Sequence, residues 1–172
     1  VPFAHEKMDE WRNNFKGIRF INEEAGYNFG GAVDDIWQKP SGELIVVDVK
    51  STSKNVFDWE DTYSKWEYAK GYQRQLEMYQ WLLEKNGFEV ASEGYLVYYN
   101  GKKHEPMFNQ QLTFDLHLVR LECDNSWVEE AVLNAKNTLD GDMPKPASSC
   151  ENCNYLRKRW EVSQKDPNKL IE

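Results

Sequence analysis

Long hydrophobic runs are missing from this chain: no apolar stretch approaches the roughly 20 residues that cross a bilayer, so no membrane partner is expected. The start, Val1 to Trp11, is polar and has no apolar core of a secretory signal. An initiator Met is also absent, which implies a trimmed chain with residues upstream of Val1. Cysteine is scarce: Cys123, Cys150 and Cys153 are too few for a disulfide framework in a chain of this size, and they point to a reducing, cytoplasmic setting. Positive charge is in deficit, 21 basic against 29 acidic residues, for a net charge of −8. That deficit counts against a polyanionic partner, because Lys and Arg supply most non-specific affinity for phosphates. Two features offset it. Carboxylates that hold a divalent cation are neutralised once the ion binds, and Lys65, Lys70 and Arg74 are expected to gather basic charge on one face. Internal repeats and low-complexity tracts are absent as well.

What is present fits a single domain spanning 1–172, with residues 149–172 as a Cys-x-x-Cys-containing helical tail. Hydrophobic residues are 40% and aromatics 14%, so aromatic side chains carry much of the core. Met8, Trp11 and Phe15 stand at helical spacing within His5–Phe15, and Gly17 would stop that helix. Ile18–Ile21 is a short strand. Tyr27–Trp37 alternates like a second strand, with Gly30 and Gly31 marking a bulge or a close backbone approach. A turn at Pro40-Ser41-Gly42 leads into Leu44–Val49, a buried strand paired as a hairpin with the one before it. Ser51–Asp61 has no period and is expected as a loop. A helix over Tyr63–Lys85 follows, with Trp66, Ala69, Tyr72, Leu76, Tyr79, Leu82 and Leu83 on its apolar stripe and Gly87 ending it. Tyr95–Tyr99 and Leu112–Leu121 are strands, with a turn at Asn100-Gly101, and Ser126 with Glu129 forms a capping box for a last helix towards Leu139. This order of elements predicts an α/β fold with a mixed central β-sheet flanked by helices.

Asp48 interrupts the apolar strand Leu44-Ile-Val-Val-Asp48-Val-Lys50, and Lys50, two residues on, emerges on the same face. A carboxylate and an ammonium at the end of a buried strand are costly unless paired or used. A hairpin turning near Ser41 and Gly42 brings Asp34 back towards Asp48. Two converging carboxylates suit a hard divalent cation such as Mg²⁺ or Mn²⁺, and the backbone carbonyl of Val49 could add a ligand. Such an ion polarises a scissile phosphate and lowers the pKa of water, while Lys50 can orient that water and stabilise developing charge.

Four pieces in order, Gly31-x-x-Asp34, Gly42-Glu-Leu44, Val47-Asp48-Val-Lys50-Ser51 and Gln75-Leu-Glu-Met-Tyr79, resemble the PD-(D/E)XK nuclease superfamily, in particular its RecB-like branch with the CRISPR-associated RecB-like exonucleases. The resemblance runs from about Ile18 to Leu83. It implies a restriction-endonuclease-like core and metal-dependent hydrolysis of DNA with single-stranded or free-end character. It also implies Asp34 and Asp48 as metal ligands, Lys50 as the catalytic lysine, and Gln75 and Tyr79 as supports for water or phosphate. An upstream acid or His is expected to complete the site, with Glu23, Glu24 and His5 as candidates. A further domain or protein partner would compensate for the acidic surface. A structure-specific or restriction-type endonuclease, and a non-catalytic binding module, are the alternatives on the same fold.

Relatives of this kind often carry a four-Cys iron–sulfur cluster, but here only Cys150 and Cys153 follow the core and no Cys precedes Asp34, so no cluster is expected. Zinc would need two further ligands, and His104 and His117 read as a loop and a strand residue without a role. Asp35 should face solvent or make an outer contact, and Trp59 and Trp66, flanking a loop near the site, could stack on bases.

Overall fold

The computed structural model describes residues 1–104 and 110–165 of the chain. They form two compact units, Val1–Leu133 and Asn134–Glu172. No helix among the described residues is long and apolar enough to cross a membrane.

The first unit opens with a short helix, α1 (Met8–Trp11), which buries Met8 and Trp11. The expected helix over His5–Phe15 is thus one turn only. Phe15 is 90% exposed instead of continuing the stripe, because Arg12 is drawn away to Asp34 and Asp35 and the chain closes on itself through Gly17 N–H to the Glu10 carbonyl. A hairpin follows, β1 (Ile18–Asn22) antiparallel to β2 (Tyr27–Gly31), which makes a two-stranded sheet of its own. The expected single strand over Tyr27–Trp37 is in fact two. Between its halves the Val33 N–H donates to the Trp11 carbonyl, so the chain leaves one sheet, crosses α1 and enters another. Val33 and Ile36 are both buried although three residues apart, so the alternation changes phase at the break.

The main sheet has the order β3 (Asp35–Gln38), β4 (Leu44–Thr52), β5 (Glu93–Gly101) and β6 (Phe114–Glu122). β3 and β4 are the antiparallel hairpin, closed at Lys39–Glu43 with Gly42 in the left-handed region, φ 101°. β4 pairs with β5 in parallel and β5 with β6 antiparallel, so the sheet is mixed. This is an α/β restriction-endonuclease-like fold with its mixed sheet flanked by helices.

A parallel pair needs a crossover, and here it is helical: α2 (Trp59–Lys65) and α3 (Glu67–Lys85). The sequence suggested one helix and a preceding loop. Instead Asp58 caps α2 by accepting from the Asp61 N–H, and Trp66, with extended backbone at φ −123° and ψ 117°, breaks the run in two. α3 ends as expected near Gly87. Gly87 (φ 88°) donates to the Glu84 carbonyl and Phe88 to the Leu83 carbonyl, the paired bonds of a Schellman stop.

Leu76, Leu82 and Leu83 of α3 pack with Leu44, Val46, Leu96 and Tyr98 of the sheet, Ile36 of β3, and Val128 and Val132 of α4 (Val128–Asp140). A buried carboxylate joins this core: Glu77 accepts from the Trp127 indole N–H at 2.7 Å, from Gln73 at 3.0 Å and from the Asp124 N–H at 3.2 Å. The capping box expected at Ser126 and Glu129 gives way to an ion pair of Glu129 with Lys85. Asn100-Gly101 is not a turn either. Both lie in β5, and buried Asn100 accepts from the Lys54 N–H and donates to its carbonyl, fixing the chain where it leaves β4.

The second unit contains α5 (Glu151–Lys165), on which Leu156 and Trp160 are exposed. Residues 166–172 of the expected tail lie outside the described residues.

Candidate active site

The site arises where the β3–β4 ladder stops. Asp35 pairs with Val47, so the next register position sets Asp34 against Asp48. With β3 ended, Asp34 Oδ2 takes over the ladder bond by accepting the Val49 N–H at 2.7 Å. On β4, Leu44, Val46, Asp48 and Lys50 share the face turned to α3. The hairpin therefore presents both carboxylates and the lysine at one point.

Asp48 is 2% exposed, and its carboxyl is pushed above the usual carboxylate range. Burial is the main cause; Lys50 pulls the other way, and the nearby Asp34 carboxylate adds repulsion. Lys50 Nζ stands 2.5 Å from Asp48 Oδ2, yet that oxygen has no partner in hydrogen-bond geometry. The contact is an ion pair with a lone pair of the buried oxygen left unused. A hard cation would engage that free lone pair and relieve the repulsion between the two carboxylates. The donor set fits Mg²⁺ or Mn²⁺.

Lys50 is held from the opposite side by α3. Its ammonium donates to Gln75 Oε1 at 3.1 Å and lies 4.5 Å above the centre of the Tyr72 ring. Gln75 Nε2 in turn donates to the Tyr79 hydroxyl at 2.9 Å. Tyr72, Gln75 and Tyr79 fall on one helix face by their three- and four-residue spacing. The Tyr79 phenol is pushed up, first by burial and then by the charges of Asp48 and Asp34, so it stays protonated. Because it accepts from Gln75, its own proton is free to be donated. The ring seats on bare backbone: a Cβ at Gly31 would stand 2.6 Å from Tyr79 Cε1.

Asp34, Asp48, Lys50, Gln75 and Tyr79 are thus brought together, with the Val49 backbone beside them. Glu23 and Glu24 are not. Both are exposed in the turn joining β1 to β2, four residues and about 13 Å of strand beyond Gly31. His5 is stacked on Trp11 at 4.4 Å, and its Nδ1 accepts the Lys7 N–H. Among the described residues no third His, Cys, Asp or Glu gathers with the two aspartates. Three contributors escaped the sequence reading, Arg12, Trp37 and Tyr72. Arg12 donates to the Asp34 carbonyl at 3.1 Å and to Asp35 Oδ1 at 2.5 Å, and Trp37 Nε1 donates to the other Asp35 oxygen. Asp35 is therefore an anchor for the turn bearing Asp34, not a free surface acid. Tyr72 could have been found, since it lies three residues before Gln75.

Of the two tryptophans suggested for stacking, Trp59 is half-buried against Tyr63 and Tyr98, and Trp66 is 54% exposed. His117 stacks on Phe57 and His104 meets Asn55 Oδ1. At the start of α5 the Cys153 N–H donates to Cys150 Sγ at 3.4 Å and lowers the Cys150 thiol pKa.

The family model of the PD-(D/E)XK nuclease superfamily matches residues 2–157, and the chain belongs to that superfamily. Among solved structures it is similar to the crystal structure of SSO0001, with 20% identity and a TM-score of 0.35, over 74% of this chain. The chain spans about half, 48%, of the length of that protein. No curated protein matches it.

Proposed function

We propose that this chain is a divalent-metal-dependent DNA nuclease of the RecB-like branch, a single domain that acts on DNA with single-stranded or free-end character in the cytoplasm. The observation that carries the reading is the meeting of Asp34 with the buried Asp48 beside Lys50, whose ammonium forms an ion pair with Asp48 Oδ2. Asp34 and Asp48 would hold Mg²⁺ or Mn²⁺, which when bound supplies Lewis-acid polarisation of the scissile phosphate and a lower pKa for the attacking water.

The protein's own groups do the rest. Lys50 has three N–H donors: one goes to Gln75, one side faces Asp48 and another the Tyr72 ring, and through its exposed fraction of 18% the ammonium would meet a water or a phosphate oxygen. Its charge opposes the negative charge that builds on the phosphate in the transition state. Gln75 fixes the ammonium from behind, and Tyr79, which accepts from Gln75, would donate its own proton to a second phosphate oxygen. Exo- against endonucleolytic action is tested with labelled linear and covalently closed circular DNA. Cleavage of linear strands with circles left intact supports the exonuclease; cutting of circles would replace it with an endonuclease.

A further inference from the structure

Beside the site, α3 and β2 line an open groove of about 580 Å³, with Tyr68, Gly71, Tyr72 and Tyr79 on the helix and Gly30 and Gly31 on the strand. The volume is that of a small-ligand pocket. Gly30 and Gly31 are explained by packing, since a Cβ at either would meet backbone or the Tyr79 ring at under 3 Å. Gly71 is not. It lies inside α3, where glycine costs about 1 kcal/mol relative to alanine, and a Cβ there would meet nothing within 4 Å. Neither the helix nor its neighbours require glycine at this position; what its absent side chain preserves is the open groove.

Aromatic rings run out of that groove in series. Tyr72, under the Lys50 ammonium, is 5.6 Å from Tyr68, and Tyr68 is 6.0 Å from Trp66. Tyr68 and Trp66 are 46% and 54% exposed, although large aromatic rings are normally drawn into the core. Trp66 occupies the break between α2 and α3, so its exposure follows from a specific backbone feature. Two exposed rings, Tyr68 and Trp66, leading to the Tyr72 ring that Lys50 covers have the chemistry of a base-stacking platform. Lys70 and Arg74 on α3 share the single carboxylate of Glu67, so the group adds one net positive charge near the groove.

We infer that this groove is a nucleobase subsite: an unpaired base next to the scissile phosphate enters beside Gly71 and stacks on Tyr68, with Trp66 taking the base beyond it. The inference rests on the nuclease reading for the position of the scissile phosphate. It adds a specificity determinant, because a base held in a duplex cannot present its face to the rings.

The test measures binding of a fluorescein-labelled oligothymidylate strand in EDTA, so that it does not depend on cleavage, for the wild type, Tyr68→Ala, Trp66→Ala and Gly71→Leu. Each alanine variant is expected to bind about tenfold to a hundredfold more weakly. Gly71→Leu should lose affinity while its melting temperature holds or rises, because leucine is the better helix former. That combination separates a filled groove from a damaged fold. Cleavage with Mn²⁺ is then compared on the same strand and on one carrying abasic sugars. The wild type should cut the abasic strand more slowly, and Tyr68→Ala should not distinguish the two. Wild-type affinity in all three variants, or equal cleavage of both strands by the wild type, overturns the subsite and leaves the nuclease reading standing. Loss of binding in the variants with no cleavage by any protein overturns the nuclease reading and leaves a base-binding groove with no scissile phosphate beside it.

Discussion

Lys50 is the residue on which the other groups converge: Asp48 on its own strand, Gln75 and Tyr72 from α3, and the Tyr79 hydroxyl one bond further. Each partner constrains a different aspect of the ammonium. Gln75 fixes its direction, so Gln75→Ala is expected to lower kcat by about 10²-fold with little change in melting temperature, the scale for loss of an oriented charge-stabilising donor. Tyr79→Phe separates two roles of one side chain. The ring that seats on Gly31 is kept, so stability should hold, while loss of the free proton should lower kcat. An unchanged rate in that variant would leave Tyr79 as packing alone. Conversely, Gly31→Ala drives a methyl to within 2.6 Å of the Tyr79 ring, and about 1–3 kcal/mol of destabilisation is expected from overpacking, read by urea unfolding. Thiol chemistry gives a check remote from the site. Burial and the neighbouring Glu77 push the Cys123 thiol up to about 12, whereas Cys150 is lowered. At pH 8 a thiol reagent should modify Cys150 readily and reach Cys123 only on unfolding, because the thiolate is the reacting form. The Cys123 shift also has a sign in stability. The folded chain holds that proton more tightly than the unfolded one, so stability is lost as pH rises from about 9 towards 12.

Elements differ in how far they could be read from sequence, and the reason lies in what fixes each one. The β3–β4 hairpin, β4 itself and the face of α3 carrying Gln75 and Tyr79 were legible, because alternation, a turn glycine and a helical period are local signals. The separation of β2 from β3 was not, since it depends on a bond from Val33 to the Trp11 carbonyl, 22 residues earlier in the chain. Arg12 was hidden for the same reason: an arginine on a short polar helix carries no mark of reaching Asp34 and Asp35. Trp66 looked like a member of the α3 stripe and proved to be the break before it. Glu77 sat among apolar stripe residues unexplained, and its role appears only when Gln73, Asp124 and Trp127 close around it. Truncating it strands those donors and removes a buried charge-assisted bond. Glu77→Ala is expected to cost about 3 kcal/mol in chemical denaturation, with the site residues untouched.

For the whole molecule the acidic surface is the first constraint. The basic residues that the sequence offered as a cationic face are paired, Lys65 with Asp61 and both Lys70 and Arg74 with Glu67. On the proposed function, affinity for DNA would rest on the site and the aromatic row more than on a basic patch, and its salt dependence is expected to be shallow compared with a protein that neutralises many phosphates. The second unit exposes Leu139, Leu156 and Trp160. With so little apolar burial of its own it is not expected to melt separately, and calorimetry of the full chain should give a single transition. The central claim concerns the metal and the lysine together, and it is tested most directly by cleavage of labelled linear DNA with Mn²⁺, set against EDTA and against a folded Lys50→Ala protein. The expected result is cleavage by the wild type that EDTA abolishes and Lys50→Ala lacks; cleavage that persists in Lys50→Ala, or that ignores EDTA, would contradict the account.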